Sequence, residues 1–259
     1  MDLYLAGENQ KKRIMDLYLA REHTVKNGGA CKTWENVKIL ESFFYARKNS
    51  HFKRLAKTAT KLILDSGAFT FLKNNSNIDW DYYLHEYANF IVEHDIELFF
   101  ELDIDPLVGL NKVEKYTQML EDITHKKPIP VWHKSRGKEY YIEMTKNFPY
   151  IALGGIALKE IPRKQFELLF PWFIATAHKN RCKLHGLGYT GDLKKYKFDS
   201  VDSSAWTHGN RGGYVYYFNP LIGKMEQIKK KNSRVKSFET AYNNFIEWQK
   251  YSKYAEIYL

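Results

Sequence analysis

Cysteine is almost absent: Cys31 and Cys182 are its two occurrences in 259 residues. So few thiols imply no disulfide framework, and no CxxC metal site can form. Long apolar runs are missing too. None reaches the roughly 18 to 20 residues that a membrane helix needs. The opening Met1-Asp2-Leu3-Tyr4-Leu5-Ala6 has no basic leader and no extended apolar core, which speaks against a signal peptide. The expectation is a soluble, cytoplasmic protein without a membrane partner.

What is present suits one large domain. Hydrophobic residues make up 44% of the chain, enough for a sizeable core, and the expected unit spans residues 1–259. Lys and Arg outnumber Asp and Glu to give a formal net charge of +10. That excess favours a polyanionic partner, because basic side chains neutralise phosphates and release counterions. A merely basic surface is the competing explanation. The hexapeptide Met-Asp-Leu-Tyr-Leu-Ala occurs at residues 1–6 and again at 15–20. The first copy, ending at Gly7, reads as a strand. The second falls in Lys11–Glu22, where Ile14, Leu17, Tyr18 and Arg21 fit a helix.

Eight strand-like runs follow one another: Leu3–Ala6, Val37–Tyr45, Leu62–Asp65, Leu98–Asp103, Ile129–His133, Ile151–Gly155, Lys183–Leu187 and Ser200–Ser204. Helical patterns separate many of them, at Trp80–Asp95, Lys112–Thr124, Lys138–Asn147 and Arg163–His178. This alternation predicts an α/β fold, a TIM (β/α)8 barrel, with an open doubly wound sheet as the alternative. Beyond the eighth run, Gly212–Pro220 and Ile222–Met225 read as a hairpin. The basic connector Lys229–Arg234 and a closing helix over Phe238–Tyr251 complete the chain.

Barrel active sites form where the strands end. The runs here end in Asp65-Ser66-Gly67, Asp103-Ile104-Asp105, His133, Gly154-Gly155-Ile156, His185-Gly186-Leu187-Gly188 and Asp199–Ser204. Acids, a histidine and glycines thus converge on one rim. Carboxylates can accept N–H groups of a base edge or attack an oxocarbenium-like carbon, and glycines admit a flat ligand close to the backbone. Taken singly, each has a plainer reading: Asp65 as a helix cap, Asp103 and Asp105 as turn residues, His133 as a satisfied rim histidine, Gly154-Gly155 as a tight turn. The pattern alone says barrel enzyme with an acidic pocket, and does not separate a glycosidase from a base exchanger.

Four of these segments resemble a known family. Asp65-Ser66-Gly67-Ala68-Phe69 is similar to the Asp-Ser-Gly-Gly-Phe signature of tRNA-guanine transglycosylases. Leu153–Ala157 is similar to their Gly-Gly-Leu-Ala segment, His185–Gly188 to their Met-Gly-Val-Gly segment, and Asp199–Trp206 to their Asp-x-Phe-Asp-Ser-Ala-Ser-Tyr run. Order and approximate spacing agree over residues 1–211. Two scattered cysteines cannot build the zinc subdomain of the bacterial tRNA enzymes, and the expectation is a form without the C-terminal RNA-binding domains of the archaeal ones. The chain resembles more closely the compact DpdA-type DNA-guanine transglycosylases of phages and genomic islands, also in Leu3–Gly7 and Leu40–Tyr45.

The resemblance implies an enzyme that exchanges guanine in DNA for a 7-deazaguanine, with DNA and the free base as partners and with neither cofactor nor metal. Asp202 would be the nucleophile and Asp65 the general acid/base. Asp103 would read the base edge and Phe69 would stack on it, with Gly154, Gly155, Ile156 and Gly188 around the base. His133 stands where the family has a base-contacting Gln. Arg211, Lys229, Lys230 and Lys231 would contact the nucleic acid. Other readings kept open are a tRNA-acting transglycosylase, a base-removing glycosylase and a non-catalytic binding paralogue.

Overall fold

The computed structural model describes residues 15–20, 37–50, 52–72, 78–156, 159–208, 214–229 and 237–259. Eight parallel strands stand in the order β4-β3-β2-β1-β8-β7-β6-β5. They are β1 (Asp16–Ala20), β2 (Lys38–Ser42), β3 (Lys61–Asp65), β4 (Leu98–Phe99), β5 (Val131–Trp132), β6 (Tyr150–Leu153), β7 (Lys183–Gly186) and β8 (Ser200–Ser203). A parallel bridge between Phe100 and Ile129 joins β4 to β5 and completes the ring. Glu101 N–H donates to Ile129 O, and Ile129 N–H to Phe99 O, across that seam. The TIM-like α/β fold expected from the alternation is therefore present.

Both faces of each strand are covered. Tyr18, Leu40, Ile63, Phe100, Ile129, Val131 and Ala152 fill the barrel interior. Leu17, Leu19, Ile39, Leu64, Ile151, Leu153, Leu184 and Val201 belong to the other, larger cluster, shared with the helices. Strands buried on both faces read as continuous apolar runs, which is why the sequence marks them so plainly.

The first strand corrects one expectation. Asp16–Ala20, in the second hexapeptide, forms β1 and not a helix. The two copies have identical local propensity, so tertiary fit decides. Leu17 and Leu19 are buried on one face and Tyr18 on the other, a period of two that a strand satisfies. The first copy lies outside the described residues. A second correction concerns Val37–Tyr45: the strand ends at Ser42, and Phe43–Ala46 form a helical turn, α1. Strands β4 and β5 are also shorter than expected. Pro128 and Pro130 supply no N–H to a ladder, and Val131 N–H donates to the Glu101 side chain instead of a backbone carbonyl.

The remaining helices are α2 (Phe52–Thr58), α3 (Ala68–Leu72), α4 (Trp80–Glu93), α5 (Asp105–Val108), α6 (Leu110–Thr124), α7 (Gly137–Asn147), α8 (Arg163–Lys179) and α9 (Ser237–Tyr258). Helix α4 starts at Asp79, whose carboxylate accepts the Tyr82 N–H as an N-cap. The hairpin is β9 (Tyr214–Asn219) with β10 (Lys224–Lys229), and it packs on α9. Ser252 Oγ donates to Leu17 O, which ties α9 to β1. No helix among the described residues is long and apolar enough to cross a membrane.

Candidate active site at the barrel mouth

Asp65 is the last residue of β3, and alternation along the strand turns it inward with Ile63. Its Oδ2 accepts the Gly67 N–H at 3.1 Å, so it does hold the turn into α3. Gly67 takes φ +78°, and a Cβ there would lie 2.7 Å from the Phe44 Cβ and 2.9 Å from the Ser42 Oγ. Only glycine lets the chain pass so close to the end of β2. Two tyrosines of α4 brace the segment: Tyr83 OH donates to Ser66 O at 2.7 Å, and Tyr87 OH lies 3.0 Å from Leu64 O and from Phe100 O.

Holding the turn does not exhaust Asp65. Burial, and then the negative charge of Asp103, push its carboxyl up to about 7; Asp202 adds to the same effect. The hydrogen bond from Gly67 works against the rise and is outweighed. Asp65, Asp103 and Asp202, drawn from β3, the segment after β4 and β8, thus form one electrostatically linked group at the mouth. Ser66 Oγ lies 3.5 Å from Asp103 Oδ1.

Asp202 is the third residue of β8 and is buried. Its Oδ1 accepts the Gly188 N–H at 2.6 Å and lies 3.3 Å from His185 Nε2. Among the described residues no hydrogen bond holds Oδ2. Asp199 immediately precedes β8. It accepts the Leu184 N–H at 2.8 Å and lies 2.9 Å from His178 Nε2, which clasps the start of β8 to β7 and α8.

His133 follows β5 and is buried. Nδ1 lies 2.6 Å from Glu160 Oε1, and Nε2 lies 3.5 Å from Asp103 Oδ2 without a hydrogen-bond partner. Burial opposes a charge on this ring. Asp103 and Glu160 on its two sides outweigh burial and hold the imidazolium up to about 10. Glu160 also accepts the Lys134 N–H at 3.0 Å. The paired glycines make room for this arrangement. A Cβ on Gly154 would meet the His133 ring at 2.8 Å, and one on Gly155, at φ +76°, would meet Glu160 Oε2 at 2.6 Å.

Asp105 belongs elsewhere. Arg136 binds it through Nε at 2.8 Å and NH2 at 2.6 Å, and binds Glu101 through NH1 at 2.8 Å. This buried triad fixes the loop after β4. Ile156 is partly buried against the outer apolar cluster. The Phe69 side chain, Arg211, Lys230, Lys231 and the Lys229 side chain lie outside the described residues. Sequence reasoning gave no individual role to Glu160, Arg136, His185, Ser200 or Tyr150. The inward register of His185 and Ser200 was the signal available for two of them. No group of three or more His, Cys, Asp or Glu among the described residues is arranged to hold a metal ion.

No family model matches the chain, and no curated protein does. Solved structures do match. One is a protein from Coccidioides immitis assigned as a fructose-1,6-biphosphate aldolase, with 8% identity, a TM-score of 0.51, and coverage of 93% of this chain and 88% of that one. At that identity the likeness establishes a shared TIM-barrel fold and nothing of the chemistry.

Proposed function

We propose that the chain is a DNA-guanine transglycosylase, replacing guanine in DNA by a 7-deazaguanine through a covalent ester on Asp202. The observation that carries the reading is the trio of carboxylates at the mouth, in which burial and Asp103 push the Asp65 carboxyl up to about 7, while Asp202 Oδ1 is held by the Gly188 N–H and Oδ2 has no hydrogen bond among the described residues. Two carboxyl groups with different duties are what a double displacement at a sugar carbon requires.

The target nucleotide is flipped out of the stack, since its C1′ is otherwise shielded. Oδ2 of Asp202 bonds to C1′ as the C1′–N9 bond breaks. The electron pair goes to guanine N9, and Asp65 supplies the proton. The incoming base then gives its N9 proton to Asp65, bonds to C1′, and releases the Asp202 carboxylate. One N-glycosidic bond replaces another, so the cycle is balanced without an outside energy source. Asp103 accepts N–H groups of the base edge, and His133, charged at neutral pH, offers an Nε2–H beside it. The backbone at Gly154, Gly155 and Ile156 and the ring of Phe69 complete the pocket in this reading. Loss of N7 alters the major-groove edge, and the proposed benefit is evasion of restriction by a phage inside its bacterial host.

Incubation with labelled guanine and either duplex DNA or tRNA tests the reading. Label entering DNA supports it. Label entering only tRNA makes the chain a tRNA enzyme, and guanine release without label uptake makes it a glycosylase.

A further inference from the structure

Among the described residues, one continuous polar chain runs through the barrel interior and ends on Asp202. Tyr150, the first residue of β6, contacts Ser200 Oγ through its hydroxyl. Ser200, the first residue of β8, lies 2.6 Å from His185 Nδ1. His185 Nε2 reaches Asp202 Oδ1 at 3.3 Å. His185 is 0% exposed, and its ring is walled by Tyr18, at 6.1 Å between centroids, and Phe100, at 5.5 Å. Strand register creates the chain: His185 is paired with Ser200, and Tyr18 with Asp202, so these side chains share the inner face.

A hydrogen-bond count gives the chain a direction. A carboxylate only accepts, so the His185 proton facing Asp202 is on Nε2. In the neutral ring Nδ1 then accepts from the Ser200 hydroxyl, and the Ser200 oxygen accepts from Tyr150 O–H. An apolar residue at His185 or Ser200 would fill this volume without the desolvation cost of a buried polar group. In the segment that His185–Gly188 resembles, methionine stands at the position of His185.

We propose that His185 is a positioning residue for Asp202, fixed in its Nε2–H form by Ser200 and Tyr150. Together with the Gly188 N–H it pins Oδ1 and turns Oδ2 toward the reacting carbon. This rests on the transglycosylase reading for its consequence, but not for the geometry.

The test has two arms, both on the full chain. In the first, labelled guanine is exchanged into duplex DNA. His185→Met and Ser200→Ala should each lower kcat, His185→Met by roughly tenfold to a hundredfold, the weight of one hydrogen bond to a charged group. KM for DNA should stay put, and His185→Gln, which keeps an N–H at the same reach, should recover much of the loss. In the second, 15N NMR of the histidine rings should find His185 in its Nε2–H form, and Ser200→Ala should mix the tautomers. An Nδ1–H form in the unmodified protein overturns the proposal, as does an unchanged kcat in both His185→Met and Ser200→Ala. If the unmodified protein incorporates no label, the functional reading fails and the tautomer arm alone decides the positioning.

Discussion

A carboxyl group that titrates near pH 7 leaves a signature in stability as well as in rate. Asp65 holds its proton when folded over the range from the ordinary 3.8 to about 7, where the unfolded chain has released it. Its contribution to stability is therefore greatest at acid pH and declines as pH rises through about 7. Asp65→Asn should be more stable than the unmodified protein at about pH 8, by at most about 4 kcal/mol and less where water at the mouth screens the charge. That gain should vanish near the ordinary carboxylate value, and paired urea melts at the two pH values check it. The same variant should slow guanine release by about 10²- to 10⁴-fold while leaving DNA binding nearly unchanged. Asp202→Asn should abolish exchange and the covalent DNA adduct, since an amide cannot form the glycosyl ester. A denaturing gel of enzyme mixed with labelled DNA reads this directly. Asp199 cannot take over, because it is clasped by His178 and Leu184 just before β8 begins. Asp65 and Asp103 stand out in the sequence because each ends an apolar run, whereas Asp202 lies inside Ser200–Ser204 and stands out only through the resemblance of Asp199–Trp206. His185 and Glu160 do not, since their partners come from β8 and β5 and only the strand register brings them together.

Between β5 and β6 the critical contact joins two loops, not two strands. His133 and Glu160 clip the end of β5 to the loop after β6, over a floor that Gly154 and Gly155 keep clear. The raised His133 value means that the clip contributes fully below the ordinary 6.5 and is lost as pH rises through about 10. Glu160→Gln should lower the His133 titration measured by NMR. It should cost about 1 to 3 kcal/mol near neutral pH, with the difference narrowing toward about pH 10. A stability loss that ignores pH would mean that the Lys134 N–H bond to Glu160 matters more than the ion pair. Elements were legible to the degree that burial dictated them. Helices α4, α6, α7 and α8 start and stop within about two residues of their apolar periodicity. Strand β1 departs from the helix expected there because propensity does not distinguish the two identical hexapeptides, and the burial of Leu17, Tyr18 and Leu19 on alternating faces is a tertiary effect. Strands β4 and β5 fell short because Glu101 and two prolines replace ladder bonds, which an apolar count does not register.

Across the whole molecule, the net charge of +10 has to act through its placement. The described ends of the basic connector provide one. Strand β10 ends at Lys229, paired with Tyr214 at the start of β9, and α9 begins at Ser237. Asn244 of α9 donates to Tyr214 O at 3.1 Å and to Trp206 O at 3.4 Å, and Trp206 follows directly on the C-terminal end of β8. Both ends therefore sit on the side of the barrel where Asp202 lies, while Glu256, further down α9, pairs with Lys38 at the start of β2. A polyanion laid over the mouth passes this side. Binding of duplex DNA should weaken steeply with salt, with a slope of about −0.9 per phosphate neutralised. Replacing Lys229, Lys230 and Lys231 together by Ala should flatten that slope by up to about 3 and leave kcat at saturating DNA intact, because phosphate contacts position the duplex without touching C1′. Fluorescence anisotropy across a salt series measures the slope. An unchanged slope would make the connector a solvated strap and move the phosphate contacts to basic residues nearer the strand ends, such as Arg47 and Lys48 after β2, where Lys48 Nζ lies 5.5 Å from the Phe44 ring centroid.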